Sequence, residues 1–133
     1  MKTPSDFIVI DDDPVNNMIC KYIIAGFAPA ASIHLFVEPE KALAFIQEEY
    51  GNNALNRETS LFLDINMPTM SGWEFLDQYR LFEDSVLAQI NVFILSSSID
   101  PEDMEHANSN PIVLGYYPKP LSKITLQTLF QQK

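Results

Sequence analysis

Four apolar runs of the chain lead into groups able to hold a cation or a phosphoryl oxygen. Ile8-Val9-Ile10 runs into Asp11-Asp12-Asp13, and Leu61-Phe62-Leu63 into Asp64. Val92-Phe93-Ile94-Leu95 runs into Ser96, and Ile112–Tyr117 leads through Pro118 to Lys119-Pro120. Carboxylates gathered at one edge repel each other and lose hydration, so they persist only with positive charge among them. Hard oxygen donors of this kind suit Mg²⁺, which keeps several waters and takes few protein ligands. A lysine is a point charge suited to a phosphoryl oxygen, and a serine hydroxyl can hydrogen-bond the same group. An aspartate acting as nucleophile yields an acyl phosphate. The set is equipment for phosphoryl transfer, where positioning and charge neutralisation do most of the work.

That reading holds only if the chain brings the four run ends together. Short apolar runs alternate with helical patterns throughout. After the first run, Val15, Met18, Ile19, Tyr22 and Ile23 share one helical face. A strand candidate follows at Ser32–Val37, then a helix marked by Ala42, Phe45, Ile46 and Tyr50. The run before Asp64 is followed by a helix from Gly72 to Arg80 that buries Phe75, Leu76 and Tyr79. The run before Ser96 is followed by a short acidic helix from about Pro101 to Ala107. The last helix begins near Ser122 and buries Leu126, Leu129 and Phe130. Asp13-Pro14 and Asp100-Pro101 each put a capping side chain before a proline at the first helical position, Glu38-Pro39 is a weaker version, and Ser122 is a plausible cap. Gly26, Gly51 and Gly115 punctuate segment ends, and the polar stretch Asn52–Thr59 reads as an exposed loop. Five strands alternating with five helices imply a parallel sheet covered on both faces, with near-continuous apolar strands. In such a sheet ligands sit beyond the carboxyl ends of the strands, where the acids, the serine and the lysine fall.

Taken in order, these motifs resemble the receiver domain of response regulators, of the type found in bacterial chemotaxis and phosphorelay proteins. Ile8-Val9-Ile10-Asp11-Asp12-Asp13-Pro14 is similar to the family's acidic first-strand motif. Leu63-Asp64-Ile65-Asn66-Met67-Pro68, then Ser71-Gly72-Trp73-Glu74, resembles its phosphoacceptor segment. Leu95-Ser96-Ser97 and Tyr116-Tyr117-Pro118-Lys119-Pro120 resemble its hydroxyl and aromatic-Lys-Pro motifs. Single motifs of this length are weak, but four in the right order at strand ends are specific. The resemblance implies a doubly wound five-stranded parallel sheet with five helices, in the flavodoxin-like order 2-1-3-4-5. It implies that Asp64 takes a phosphoryl group from a phosphohistidine on a histidine kinase or phosphotransfer protein. Asp12 would then bind Mg²⁺ directly, Asp11 largely through water, and Asn66 by its backbone carbonyl, with Asp64 also in the metal set. Ser96 and Lys119 would bind the phosphoryl group, Tyr116 would be the switch aromatic, and the bond to Pro120 would be cis. Output would pass to an unknown downstream protein through a changed packing of the face carrying Tyr116. Departures are visible: Ser97 stands where the family often has alanine, Asn66 and Ser98 fall where the family tunes phosphoryl lifetime, and Asn52–Thr59 is a little longer than usual, on the side away from the site.

Composition narrows the alternatives. A length of 133 residues suits one domain. The expectation is a single receiver over the whole chain, with its core at about residues 6–131 and no output domain. A net charge of −10 opposes binding to phosphate backbones, so no direct nucleic-acid partner is expected. No run approaches a membrane span and no signal peptide is visible, so a cytoplasmic location and no membrane insertion are expected. The single cysteine, Cys20, excludes an internal disulfide and a Cys-based zinc site. Only four glycines are present and none forms a phosphate-cradling loop. Asp64-Ile65-Asn66 is like the start of a calcium loop, but Thr69 stands where that loop needs glycine. Asp13 reads as a helix cap rather than a ligand. His34 and His106 lack partners at metal-ligand spacing, and Trp73, Phe75 and Tyr79 read as helix packing. Two rival functions remain. One is a pseudo-receiver that keeps the fold as an interaction module without phosphorylation. The other is an aspartate-nucleophile phosphatase, disfavoured because Asn66 stands where its general acid is needed.

Overall fold

The structure, a computed structural model, describes residues 1–51, 57–97 and 100–130. Its elements in chain order are β1 (Asp6–Ile10), α1 (Pro14–Phe27), β2 (Ser32–Phe36), α2 (Pro39–Gly51), β3 (Thr59–Asp64), α3 (Gly72–Tyr79), α4 (Asp84–Leu87), β4 (Ile90–Ser96), α5 (Pro101–Ser109), β5 (Val113–Pro118) and α6 (Lys123–Phe130). The strands form one parallel sheet in the order β2-β1-β3-β4-β5. This is the doubly wound sheet expected from the sequence. Its direction of winding reverses between β1 and β3, the place where such sheets open a crevice at their carboxyl edge.

Strand residues alternate between two cores, because successive side chains point to opposite faces. Ile8, Ile10, Leu61, Leu63, Val92 and Ile94 meet Ala42, Ile46, Phe75 and Leu76 on one side. Phe7, Val9, Phe62, Phe93 and Leu95 meet Cys20, Ile24, Leu126 and Phe130 on the other. Phe130 stands edge-on to both Phe7 and Phe93, with centroids 6.0 and 6.1 Å away. Burial on both faces explains why the central strands read as unbroken apolar runs.

The helix starts follow local chemistry. The Asp13 carboxylate accepts from the Val15 N–H with Pro14 opening α1, and Asp100 accepts from Glu102 with Pro101 opening α5. Ser71 and Glu74 close a reciprocal capping box at α3. Ser122 accepts from the Thr125 N–H at 3.1 Å.

Some expectations are corrected. Among the described residues there are six helices rather than five: α4 is one four-residue turn whose only buried residue is Val86, too little for a periodic pattern to show. The row read on α1 faces outward except for Ile23, which is partly buried against the second core. Val15, Met18, Ile19 and Tyr22 are exposed, Tyr22 at 80%, while α1 buries Asn17, Cys20 and Ile24. Gly115 lies inside β5 rather than at a segment end, opposite Phe93 and beside a register shift. A Cβ there would come within 2.6 Å of the Tyr117 ring. The loop read over Asn52–Thr59 falls partly outside the described residues, and Thr59 is the buried first residue of β3. Among the described residues, no helix is long and apolar enough to cross a membrane.

Two contacts fix the segments that leave the carboxyl edge. Between β3 and α3, the Gly72 N–H donates to the Ile65 carbonyl at 2.8 Å. A Cβ on Gly72 would meet the Asp64 carbonyl oxygen at 2.6 Å and the Ile65 Cα at 2.8 Å. Both are backbone atoms, so neither can step aside. Farther along, α5 buries only Ala107 in its own right. The Trp73 ring of α3 stacks on His106 of α5, with centroids 3.9 Å apart and planes 14° from parallel. Its indole N–H also donates to Asp103 at 3.3 Å. Gly72→Ala is expected to cost about 1–3 kcal/mol in urea unfolding, since it overpacks the turn behind Asp64. An unchanged midpoint would show that this turn has room to move. Trp73→Ala is expected to speed amide hydrogen exchange across Pro101–Ser109 by about three- to tenfold, with β1 and β3 still protected.

Candidate functional site

The sheet brings the named run ends to one place. Asp11 follows β1, Asp64 closes β3, Ser96 closes β4, and Lys119 follows β5. Carboxylate oxygens of Asp11, Asp12 and Asp64 all lie within 4.8 Å of one another. Asp11 and Asp64 are buried, and Asp12 is exposed at the mouth. The Lys119 ammonium sits between the two buried acids, 2.6 Å from Asp11 Oδ2 and 3.2 Å from Asp64 Oδ1. Its backbone N–H donates to the Ser96 carbonyl at 2.8 Å, which ties the lysine's position to the buried end of β4. The peptide bond between Lys119 and Pro120 is cis.

Asp11 is held from several directions. Its Oδ1 accepts from the Asp13 N–H at 2.9 Å, and its Oδ2 from the Asn16 side-chain amide at 2.8 Å. The buried Asn17 amide donates to the Asp11 carbonyl at 3.0 Å and to the Phe36 carbonyl at 3.2 Å, joining the ends of β1 and β2. Sequence reading missed both asparagines. The signal was present: two adjacent amides in the first turns of a helix, a poor place for Asn unless its side chain bonds something.

The other residues fall as follows. Asn66 is exposed, and its backbone N–H bonds the Asp64 carboxylate. Ser97 is exposed, and Ser98 lies outside the described residues. Tyr116 is half-buried in β5, in register with Ile94, and packs against the core that contains Ile8 and Leu63. His34 lies mid-strand in β2, in register with Ile8, 3.9 Å from Asp6 and against the Phe45 ring. Cys20 is buried, and burial together with the nearby Asp11 charge pushes its thiol up to about 11, so it is an unreactive core residue.

Comparison with known proteins agrees with this fold. The model of the response regulator receiver domain matches residues 7–131. The chain belongs to that family. A two-component response regulator from Cytophaga hutchinsonii is 28% identical, covers 96% of this chain and 95% of its own, and superposes with a TM-score of 0.85. A response regulator receiver protein from Dyadobacter fermentans is 27% identical, covers 93% of each chain, and superposes with a TM-score of 0.83. The two-component response regulator ORR1 of Oryza sativa is 27% identical over 126 residues, which are 92% of this chain. The chain spans about half the length of the curated relatives it matches.

Receiver domains are signalling switches that work with histidine kinases or phosphotransfer proteins and bind Mg²⁺ at an acidic pocket. In this receiver, the Asp11, Asp12 and Asp64 cluster offers three carboxylates close enough to share one ion, and its donors are the hard oxygens that Mg²⁺ takes. Its electrostatics fit a cation. Three acids face one lysine, so the site is left negative. Burial, then the Asp11 charge, push the Asp64 carboxyl up to about 6, against the pull of Lys119 and the Asn66 N–H. Burial alone would pull Lys119 down, but its bond to Asp11 and the charges of Asp64 and Asp11 outweigh it, and the lysine is raised overall.

A stability profile follows for the metal-free receiver. Unfolded, Asp64 loses its proton near 3.8, and folded it keeps it to about 6. Between those values the folded chain binds more protons, so stability falls as pH rises through the window. At about 1.4 kcal/mol per pH unit, the effect is at most about 3 kcal/mol. Asp64→Asn is therefore expected to be more stable than the parent at pH 7 in a chelator, with the gap closing toward pH 4. Urea unfolding at a series of pH values reads this directly, and a gap independent of pH would contradict it.

Proposed function

We propose that this receiver accepts a phosphoryl group on Asp64 from a phosphohistidine, in a two-component or phosphorelay system. The observation behind this is the single lysine shared by two buried acids, with a third acid completing the cluster at the carboxyl edge of the sheet. An Asp64 oxygen forms the new bond to phosphorus as the bond to the donor imidazole breaks. Lys119 turns from Asp11 to the phosphoryl oxygens, and the Ser96 hydroxyl donates to the same group. Asp12 would hold Mg²⁺ directly, Asp11 through water, and Asn66 by its backbone carbonyl, with Asp64 completing the set. When bound, Mg²⁺ neutralises charge on the transferring group. The chain catalyses its own phosphorylation and dephosphorylation and acts on no other substrate.

The added charge, about −1.5 to −2, gives Ser96 and Lys119 a reason to move. Tyr116 lies two residues before Pro118, whose register partner is Ser96. A change at Ser96 is thus passed to the half-buried Tyr116, and the face around β5 presents a different packing to a protein partner. The donor is a protein as well. The exposed apolar row Val15, Met18, Ile19 and Tyr22 begins directly beside the acids, and an apolar patch next to a reacting group is suited to docking a histidine-bearing helix.

The test is intact-protein mass after incubation with acetyl phosphate, with Mg²⁺ or with chelator, beside Asp64→Asn. One labile phosphoryl adduct is expected, lost in chelator and in the variant. A folded chain that takes no adduct across donors and pH would instead be a pseudo-receiver, an interaction module that keeps the acidic pocket for binding alone.

A further inference from the structure

Asp11 is 2% exposed, so each of its carboxylate oxygens needs a donor from the protein or a bound group. Oδ1 has the Asp13 N–H. Oδ2 has two donors, the Lys119 ammonium at 2.6 Å and the Asn16 amide at 2.8 Å. The two differ in what they can do next. On the receiver reading, Lys119 is drawn away to the phosphoryl group. Asn16 carries no charge to be drawn, and it sits in the first turn of α1, pinned by Pro14 and the Asp13 cap.

The choice of asparagine here is not explained by helix stability, since alanine would favour the helix more. It is not explained by core packing either, because Asn16 is only half-buried. Its amide has one further neighbour, Cys20 Sγ at 3.7 Å, a weak acceptor. The strong contact is with Asp11.

We propose that Asn16 is a positioning residue of the phosphoryl site: its amide fixes the Asp11 carboxylate toward the cation position and keeps Oδ2 bonded when Lys119 leaves. Without it, departure of the lysine strips a buried carboxylate oxygen, and Lys119 is held back on Asp11. This inference rests on the receiver reading. It predicts two separable effects, one on cation binding and one on phosphoryl transfer once the cation is saturating.

The experiment uses the full chain with Asn16→Ala, Asn16→Leu, which keeps the volume without the donor, and Asn16→Gln, which restores an amide. Cys20→Ala controls for the weaker contact. Mn²⁺ binding is read by electron paramagnetic resonance, and phosphorylation by phosphoramidate is read at saturating Mg²⁺. The Ala and Leu variants are expected to bind Mn²⁺ about three- to tenfold more weakly, the net worth of one typical hydrogen bond. Their phosphorylation at saturating Mg²⁺ is expected to be slower by a similar factor, with Gln recovering part of both and Cys20→Ala matching the parent. Folded Ala and Leu variants with parental Mn²⁺ affinity and rate would overturn the inference, as would a lowered melting temperature alone. Should Ala fail to fold, Leu impaired beside a more active Gln supports it, and Leu and Gln behaving alike overturns it. A parent chain that neither binds Mn²⁺ nor takes a phosphoryl group sinks the receiver reading and this one with it.

Discussion

Lys119 lies within 3.2 Å of two buried carboxylates that the chain contributes from β1 and β3, 53 residues apart in sequence. Neither acid could stay ionised there alone, because burying an unpaired charge costs several kcal/mol. The lysine offsets that cost, and it does so from a third strand, β5, at the edge of the sheet. Its backbone is held in turn by Ser96 at the end of a fourth strand, β4. The ion-paired centre therefore requires β1, β3, β4 and β5 to end at one level. A parallel sheet with helical crossovers meets that requirement, since every strand enters at the same edge and leaves at the other.

The pairing is deliberately incomplete in charge. One ammonium faces three acids, and the deficit shows at Asp64, the acid pushed upward by burial and by Asp11. A structural ion pair would be balanced; here the surplus negative charge is kept within 4.8 Å and open to solvent through Asp12. Such a site is suited to a cation, and a cation there would let Asp64 stay ionised and nucleophilic at neutral pH. The electrostatic strain and the chemistry share one origin.

Much of this was legible in the sequence, for physical reasons that vary by element. The central strands were plain because burial on both faces makes them continuous apolar runs, and because each ends in a charged or hydroxyl residue. Asp13-Pro14 and Asp100-Pro101 marked helix starts since cap geometry is local. What escaped notice was nonlocal or too short. The turn α4 has one buried side chain and no pattern. Gly115 was read as punctuation, whereas its lack of a Cβ makes room for the Tyr117 ring across a register shift. Trp73 reads as packing, but nothing in the sequence says that its partner is His106, 33 positions on. Asn16 and Asn17 were passed over because an amide has meaning only once the carboxylate or carbonyl it bonds is located.

Helix α1 shows most clearly how the site reshapes the fold around it. A helix that only packed would bury an apolar stripe and show polar residues to water. This one buries Asn17 and half-buries Asn16 in its first turns, and turns Val15, Met18, Ile19 and Tyr22 outward. The inward amides are accounted for by Asp11, whose carboxylate and carbonyl they bond. The outward apolar row is not required by the core, which Cys20 and Ile24 already reach from the same helix. Leaving four apolar side chains in water gains the isolated chain nothing, and polar residues at those positions would serve its solubility better. On the proposed function, the row is the surface that the phosphohistidine-bearing protein covers. Its place, starting one residue after the Asp13-Pro14 cap, would set that protein's surface against the mouth of the acidic pocket.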